Sequence, residues 1–174
     1  STVFNGSRQP LYSPLPDTVP GHLPVLPQRN LPLARSLLLE EGYSQAVPLA
    51  IELWYVADGR YSAVEAAYAA ALQSQLEETG VFQVTLTAAP FEQFIGQVGE
   101  CNLPVYLLGW PSPGRPVDYP DPSAWTDIFV TSTTFCPNYE STAMTAFIQA
   151  ADEETDPAAR LAIYGDIQQL WAQD

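Results

Sequence analysis

The residues with the most chemical content are Gly109-Trp110 and, a few positions on, Asp118-Tyr119-Pro120-Asp121-Pro122. Gly109-Trp110 closes a segment of strand character, Leu103-Pro104-Val105-Tyr106-Leu107-Leu108. In an open α/β sheet, ligands lie beyond the carboxyl ends of the strands. An indole at that edge with a carboxylate close behind suits a ligand with a cationic amine and an apolar body. Charge-assisted hydrogen bonds would hold the amine, and stacking or cation–π contact the rest. The competing description is structural, with Trp110 in the core and Asp118 forming a turn.

Other reactive chemistry finds little support. The single histidine, His22, sits among prolines, away from any serine or cysteine in an elbow context, which argues against a triad or a histidine-based metal site. All six basic residues are arginine, so no Schiff-base, P-loop or Ser–Lys chemistry is available. The glycines form no phosphate-cradling pattern. Asp118 and Asp121 could be read as the acid/base pair of a hydrolase, as in glycosidases. Residues three apart on a proline-stiffened loop rarely face one substrate, however, and they lack the spacing of an EF-type calcium loop. The run Asp152-Glu153-Glu154 reads as solvation of a helix end and of the next helix's N-terminus. The expectation is therefore no catalytic residue, no metal ligand and no cofactor.

The balance of 6 basic against 20 acidic residues gives a net charge of −14, which repels phosphate backbones and anionic lipid and excludes nucleic acid as a partner. With 47% hydrophobic residues the chain can build a core and is not a disordered acidic tail. No apolar run reaches the roughly 18 residues that a membrane helix needs. The opening Ser1-Thr2-Val3-Phe4-Asn5-Gly6 lacks the basic and apolar regions of a signal peptide, as a processed or excised chain would. Two cysteines, Cys101 and Cys136, are too few for a disulfide scaffold and too far apart for a zinc knuckle; one bridge and two buried thiols are both compatible with them.

The elements that must position these residues follow from periodicity and punctuation. Seven of the seventeen prolines lie in the first 32 residues, so residues 1–30 are expected as an extended segment making apolar contacts through Leu11, Tyr12, Leu15, Leu23, Val25 and Leu26. Residues 31–174 are expected as an α/β lobe. Leu33, Leu37, Leu38 and Leu39 predict a short helix closed by Gly42. Residues 49–56 predict a strand, broken by Asp58-Gly59. Ser62 and Glu65 have capping-box spacing ahead of a helix carrying Val64, Ala67, Tyr68, Ala71, Leu72 and Leu76 to Gly80. A strand over 81–86, a short helix through Phe91, Phe94 and Ile95, and a strand over 103–108 follow. Five prolines in 111–122 mark a functional loop. Two helices close the chain, the second with Asp156 as N-cap and Pro157 as first residue. Alternating strands and helices imply an α/β layer with a small mixed or parallel sheet flanked by helices.

Taken in order, these pieces resemble the extracellular solute-binding proteins that serve dipeptide and oligopeptide ABC importers. Besides Gly109-Trp110 and the Asp118 to Pro122 stretch, Leu33 to Tyr43 is similar to the family's A-x-x-L-L-x-E-A-G-Y helix. Ile51 to Tyr55 is similar to the strand after it, and Leu76 to Val84 to its helix-to-strand step. Asp156 to Gln169 resembles the D-x-x-x-R-x-x-x-Y-x-x-x-Q helix, and Gly6 to Pro16 the proline-rich re-entry segment. One departure is the run of seven residues between Trp110 and Asp118, where the family usually has only a few.

The resemblance implies one ligand-binding lobe of a periplasmic-binding-protein type II fold, the second of two lobes that close on the solute. It implies Asp118 as the acceptor of a peptide's α-ammonium group, with Gly109, Trp110 and Tyr119 beside it, and Arg60 and Tyr61 as further ligand contacts from the loop after the first strand. The implied partners are a peptide or similar small solute, the missing first lobe and a membrane permease. The implied location is periplasmic or extracellular, with a signal-peptide-bearing precursor and lipoprotein anchoring of the full-length form. Export makes a Cys101–Cys136 disulfide an expectation too, stabilising by about 3–4 kcal/mol in the chain-entropy model. A sensory or docking module on the same lobe is the alternative use.

Overall fold

A computed structural model describes residue 3 and residues 10–109, 121–127, 130 and 139–173. These fall into two compact units, one holding residues 29–109 and the other residues 10–28 with 121–173.

The first unit is a three-stranded parallel sheet with helices. Its elements are α1 (Leu31–Glu40), β1 (Leu49–Val56), α2 (Glu65–Glu77), β2 (Phe82–Ala89), α3 (Phe91–Gly99) and β3 (Val105–Tyr106). The strand order is β2-β1-β3, with β1 in the centre. Register runs from Leu49↔Phe82 to Val56↔Ala89 on one side and pairs Leu53 with Val105 and Trp54 with Tyr106 on the other. This is the α/β architecture expected, and both pairings are parallel.

Strand limits follow the prolines. β2 runs three residues beyond the expected Leu86, up to Pro90, whose missing N–H ends the ladder after Ala57 has donated to Ala89 at 2.8 Å. β3 is shorter than the expected 103–108 because Pro104 has no donor; one more bond, Leu107 N–H to the Trp54 carbonyl at 2.8 Å, extends the pairing. β2 lies at the edge, where unpaired backbone invites association. Two side chains one turn apart on α2 cover it at Val84: Gln73 Nε2 donates to the Val84 carbonyl (2.7 Å), and Glu77 Oε1 accepts the Val84 N–H (3.0 Å).

α1 starts on Asn30, whose side chain accepts the Leu33 N–H (3.1 Å), and ends in a Schellman motif at Gly42. There Tyr43 N–H reaches the Leu38 carbonyl at 3.0 Å, and Gly42 takes φ +89°, a conformation glycine adopts at no steric cost. α2 is rotated from the expected face. Val64, Ala67 and Tyr68 are exposed, while Ala69 is fully buried and Glu65 is buried at its start. An alanine-rich helix has too little apolar asymmetry to choose its own face, so close packing of the small Ala69 chooses it.

The second unit has α4 (Ser123–Thr126), α5 (Thr142–Glu153) and α6 (Pro157–Trp171). The short α4 has no apolar period and was not legible beforehand. α5 is capped by Ser141, which accepts the Met144 N–H (3.3 Å), and α6 by Asp156, which accepts the Ala159 N–H (2.8 Å). Met144, Ile148 and Ala151 of α5 pack with Tyr164 and Ile167 of α6 into one core.

The proline-rich segment is held to this unit by one side chain. Gln168 is fully buried; its Nε2 donates to the carbonyls of Gly21 (2.8 Å) and Tyr164 (2.9 Å), and its Oε1 accepts the Ser13 hydroxyl and the Leu23 N–H (both 2.9 Å). Leu15 and Val19 are buried, whereas Leu11, Leu23 and Leu26 remain substantially exposed. The segment's anchoring is therefore as much polar as apolar. His22 is part of the same fastening, its Nδ1 lying 2.8 Å from the Leu15 carbonyl and so serving as donor.

Replacing Gln168 with leucine would leave two donors and a loop carbonyl without partners, at about 1–3 kcal/mol for each group that water cannot reach. Urea denaturation of Gln168→Leu should show at least about 2 kcal/mol of lost stability, with the Leu23 amide losing its hydrogen-exchange protection.

Candidate ligand-binding site

Because β1 and β3 are parallel, the loops that leave their C-terminal ends emerge on the same edge of the sheet. The loop after β1 is organised by Asp58. Its Oδ1 accepts the Arg60 N–H (3.1 Å), closing an Asx turn over Gly59 (φ +72°), and its Oδ2 accepts the N–H of Phe91 at the start of α3 (2.9 Å). One carboxylate thus fixes the loop and satisfies an orphan donor of a helix N-terminus. Phe91 supports the next two residues. The Arg60 guanidinium carbon lies 3.8 Å from the centre of its ring, and Tyr61 meets the ring edge-on, with centroids 6.0 Å apart and planes at 83°. Asp58 and Phe91 were not singled out from the sequence; the Asp-Gly step was visible, but nothing local linked it to Phe91.

Tyr61 then packs on the end of β3. A Cβ built at Gly109 would collide with the Tyr61 ring, with the Tyr61 Cβ as close as 2.9 Å. Glycine is required there because the ring occupies the space any side chain would need. Around this contact lies a cleft of about 350 Å³, whose wall includes Tyr61, Ser62, Glu65, Tyr68, Tyr106 and Gly109. Tyr106 is steadied edge-on by Phe94 at 6.0 Å. Burial raises the pKa of both Tyr61 and Tyr106, keeping the phenols neutral and able to donate. Burial also raises that of Glu65, against the pull of the Ser62 and Tyr61 backbone N–H groups. The capping box expected at Ser62 and Glu65 is thereby present, with Ser62 Oγ accepting the Val64 N–H at 3.2 Å.

Of the residues expected at a site, Arg60, Tyr61 and Gly109 are described. Tyr61 and Gly109 touch, and Arg60 is stacked one residue away. Trp110, Asp118 and Tyr119 lie outside the described residues. Cys101 is disulfide-bonded, and Cys136 lies outside the described residues. Among the described residues no group of three or more His, Cys, Asp or Glu side chains converges as a metal site.

Asp121, weighed above with Asp118 as an acid/base or calcium pair, has other employment. Arg160 of α6 holds it bidentately, Nη1 to Oδ2 at 2.5 Å and Nη2 to Oδ1 at 3.0 Å, while Arg160 Nε caps the Ala151 carbonyl at 2.9 Å. The ion pair lowers the Asp121 pKa to about 2, so it carries no proton to give. Tyr164, also bonded to Arg160 (3.3 Å), extends the network to Asp127 (3.4 Å). Burial raises the Asp127 pKa.

A parallel sheet with a cleft at its C-terminal edge and no assembled catalytic group among the described residues defines a binding fold of the α/β type. The family described as "Bacterial extracellular solute-binding proteins, family 5 Middle" matches residues 1–135. The chain belongs to the bacterial extracellular solute-binding proteins of family 5. Comparison with curated protein sequences gives no match. Among solved structures, a dipeptide binding protein from Pseudoalteromonas sp. SM9913 in complex with Met-Leu is 25% identical over 93% of this chain and 32% of its own, with a TM-score of 0.78. Haemophilus influenzae OppA in complex with RPPGFSPFR superposes with a TM-score of 0.82 at 18% identity, over 98% of this chain and 34% of its own. The Escherichia coli murein tripeptide binding protein MppA gives 0.78 at 19% identity, over 98% and 33%. The chain thus spans about a third of the length of these structures.

Two outcomes check this geometry. Gly109→Ala should displace the Tyr61 ring, read as a change in its aromatic NMR resonances and a loss of about 1–3 kcal/mol in stability; an unmoved ring would refute the contact. Asp121 has a folded pKa below its unfolded value, so its ion pair contributes fully above about pH 4 and is lost as pH falls towards 2. Acid titration of Asp121→Asn should therefore lack a stability loss of about 2 kcal/mol that the parent shows in that window.

Proposed function

We propose that this chain is the second ligand-binding lobe of the substrate-binding component of an ABC-type importer, and that the solute is a peptide. In this reading Asp118 accepts the peptide's α-ammonium group, Trp110 and Tyr119 line the same edge with Gly109, and Arg60 and Tyr61 contact the ligand from the loop after β1. The observation that carries it is the contact of Tyr61 with Gly109 in a chain of this family, which joins the loop after β1 to the Gly109-Trp110 step. Stacking on Phe91 uses the face of the Arg60 guanidinium and leaves its donors, which lie in the plane, suited to a carboxylate. Two structurally similar proteins carry peptides, Met-Leu in one and RPPGFSPFR in the other, which supports the solute class.

Such a receptor makes and breaks no bond. The solute is captured between this lobe and a first lobe, hinge closure sequesters it, and the closed form delivers it to a membrane permease. Its place is the periplasm or the cell exterior, reached by a precursor with a signal peptide and held there by a lipid anchor. Disulfide pairing of Cys101 with Cys136 belongs to the same proposal.

Isothermal titration of the intact two-lobe receptor with dipeptides should show binding that Asp118→Asn weakens by at least about tenfold, as loss of a charge-assisted contact requires. The 174-residue chain alone should give little or no heat, because half of the contacts lie on the other lobe. Submicromolar binding by the chain alone, or undiminished affinity in the variant, contradicts the two-lobe account. Labelling of unreduced, denatured protein should find no free thiol; two reactive thiols would disprove the pairing.

A further inference from the structure

The cleft beside Gly109 has a chemical bias that the contacts above do not use. Tyr61, Tyr68 and Tyr106 present three aromatic side chains, Glu65 is the only charged side chain in the lining, and no basic residue lines it. Glu65 is 8% exposed, and its Oε2 is buried without a hydrogen-bond partner. The capping box accounts for only half of this carboxylate: the Tyr61 and Ser62 backbone N–H groups engage it, and Oε2 is left over. A buried acceptor without a donor is costly, and one carrying charge more so. The N-terminal dipole of α2 offsets part of that cost. A donor bearing positive charge would satisfy the oxygen and the charge together. Tyrosine faces attract cations through the ring quadrupole. The volume, about 350 Å³, matches on the order of ten waters, enough for one long side chain.

We infer that this cleft is a subsite for a cationic side chain, an ammonium or guanidinium group held by Glu65 among Tyr61, Tyr68 and Tyr106. This rests on the reading of the chain as a peptide-binding lobe and narrows the solute class to peptides with a basic side chain. The subsite is separate from Asp118, which is assigned to the α-ammonium group. Glu65 is also held in the charged state needed by two backbone donors, although burial opposes ionisation.

The test uses the 174-residue chain and two probes of one shape, N-acetylargininamide, which is cationic, and N-acetylcitrullinamide, which is neutral. Neither has a free α-amine or carboxylate, so neither depends on Asp118 or on a second lobe. In NMR titrations the arginine probe should move the ring resonances of Tyr61, Tyr68 and Tyr106 and bind at least about fivefold more tightly than the citrulline probe, in line with a cation–π contact plus a partly screened ion pair. Glu65→Gln should remove that preference while leaving citrulline binding unchanged, a split that a general loosening of the fold would not produce. Should Glu65→Gln fail to fold by circular dichroism, Tyr68→Leu on the exposed wall takes its place and should weaken the arginine probe about threefold. Equal binding of the two probes to the parent chain, or a preference that survives the substitution, overturns the inference. Dipeptide capture by the intact receptor together with equal probe binding would reject the subsite alone; a cation preference without dipeptide capture would reject the transport reading alone.

Discussion

Hydrogen bonding of β1 on both sides by parallel neighbours is the constraint from which the first unit's site follows. Parallel pairing sends the carboxyl ends of all three strands to one edge, so the loop at 57–64 and the step at 107–109 are brought together by register rather than by any attraction of their own. The pairing Trp54↔Tyr106 sets how far the two loops can be from each other, and the Tyr61 ring closes the remaining gap by lying against a residue with no side chain. Asp58 keeps the loop from relaxing away, because one carboxylate serves both its own turn and the first residue of α3. Edge protection of β2 by Gln73 and Glu77 preserves the same ladder from the other side.

The second unit is organised along one stripe of α6. Asp156, Arg160, Tyr164 and Gln168 are spaced by four residues, and each four-residue step advances only about 40° around a helix, so the four lie along a slowly turning face. Each has a distinct partner: the helix's own first turn, Asp121, Asp127, and the loop carrying Ser13, Gly21 and Leu23. A stripe of polar groups in a buried place is stable only when all of its members are satisfied, and the bidentate geometry at Arg160 and the four bonds at Gln168 meet that demand. Neither residue contacts the cleft. Their work is to hold the chain entering this unit and the start of α4.

Much of this was legible beforehand where local chemistry dictates structure. The limits of β1, the Gly42 closure of α1, the Ser62–Glu65 box and the Asp156-Pro157 start of α6 each follow from residues a few positions apart. Strand ends were misplaced where the partner's ladder decides them, as at Ala89 and Val105, although Pro90 and Pro104 were there to be weighed. The buried face of α2 was misread because its apolar stripe is mostly alanine and tertiary contact prevails over so weak a pattern. Asp121 was read among the reactive carboxylates because its partner is 39 residues away, a distance across which no spacing rule operates. At the site, Arg60, Tyr61 and Gly109 came from resemblance; the reason for the glycine, a ring lying on its Cα, is visible only in three dimensions.

The central claim, that the edge carrying Tyr61 and Gly109 is where the solute is held, is tested most directly by hydrogen–deuterium exchange on the intact receptor with and without a dipeptide. The account predicts slowed exchange in the segments covering 57–62 and 107–119, with no change along 157–171 of α6. Ligand-induced protection confined to other segments, with 57–62 and 107–119 exchanging as before, would contradict it.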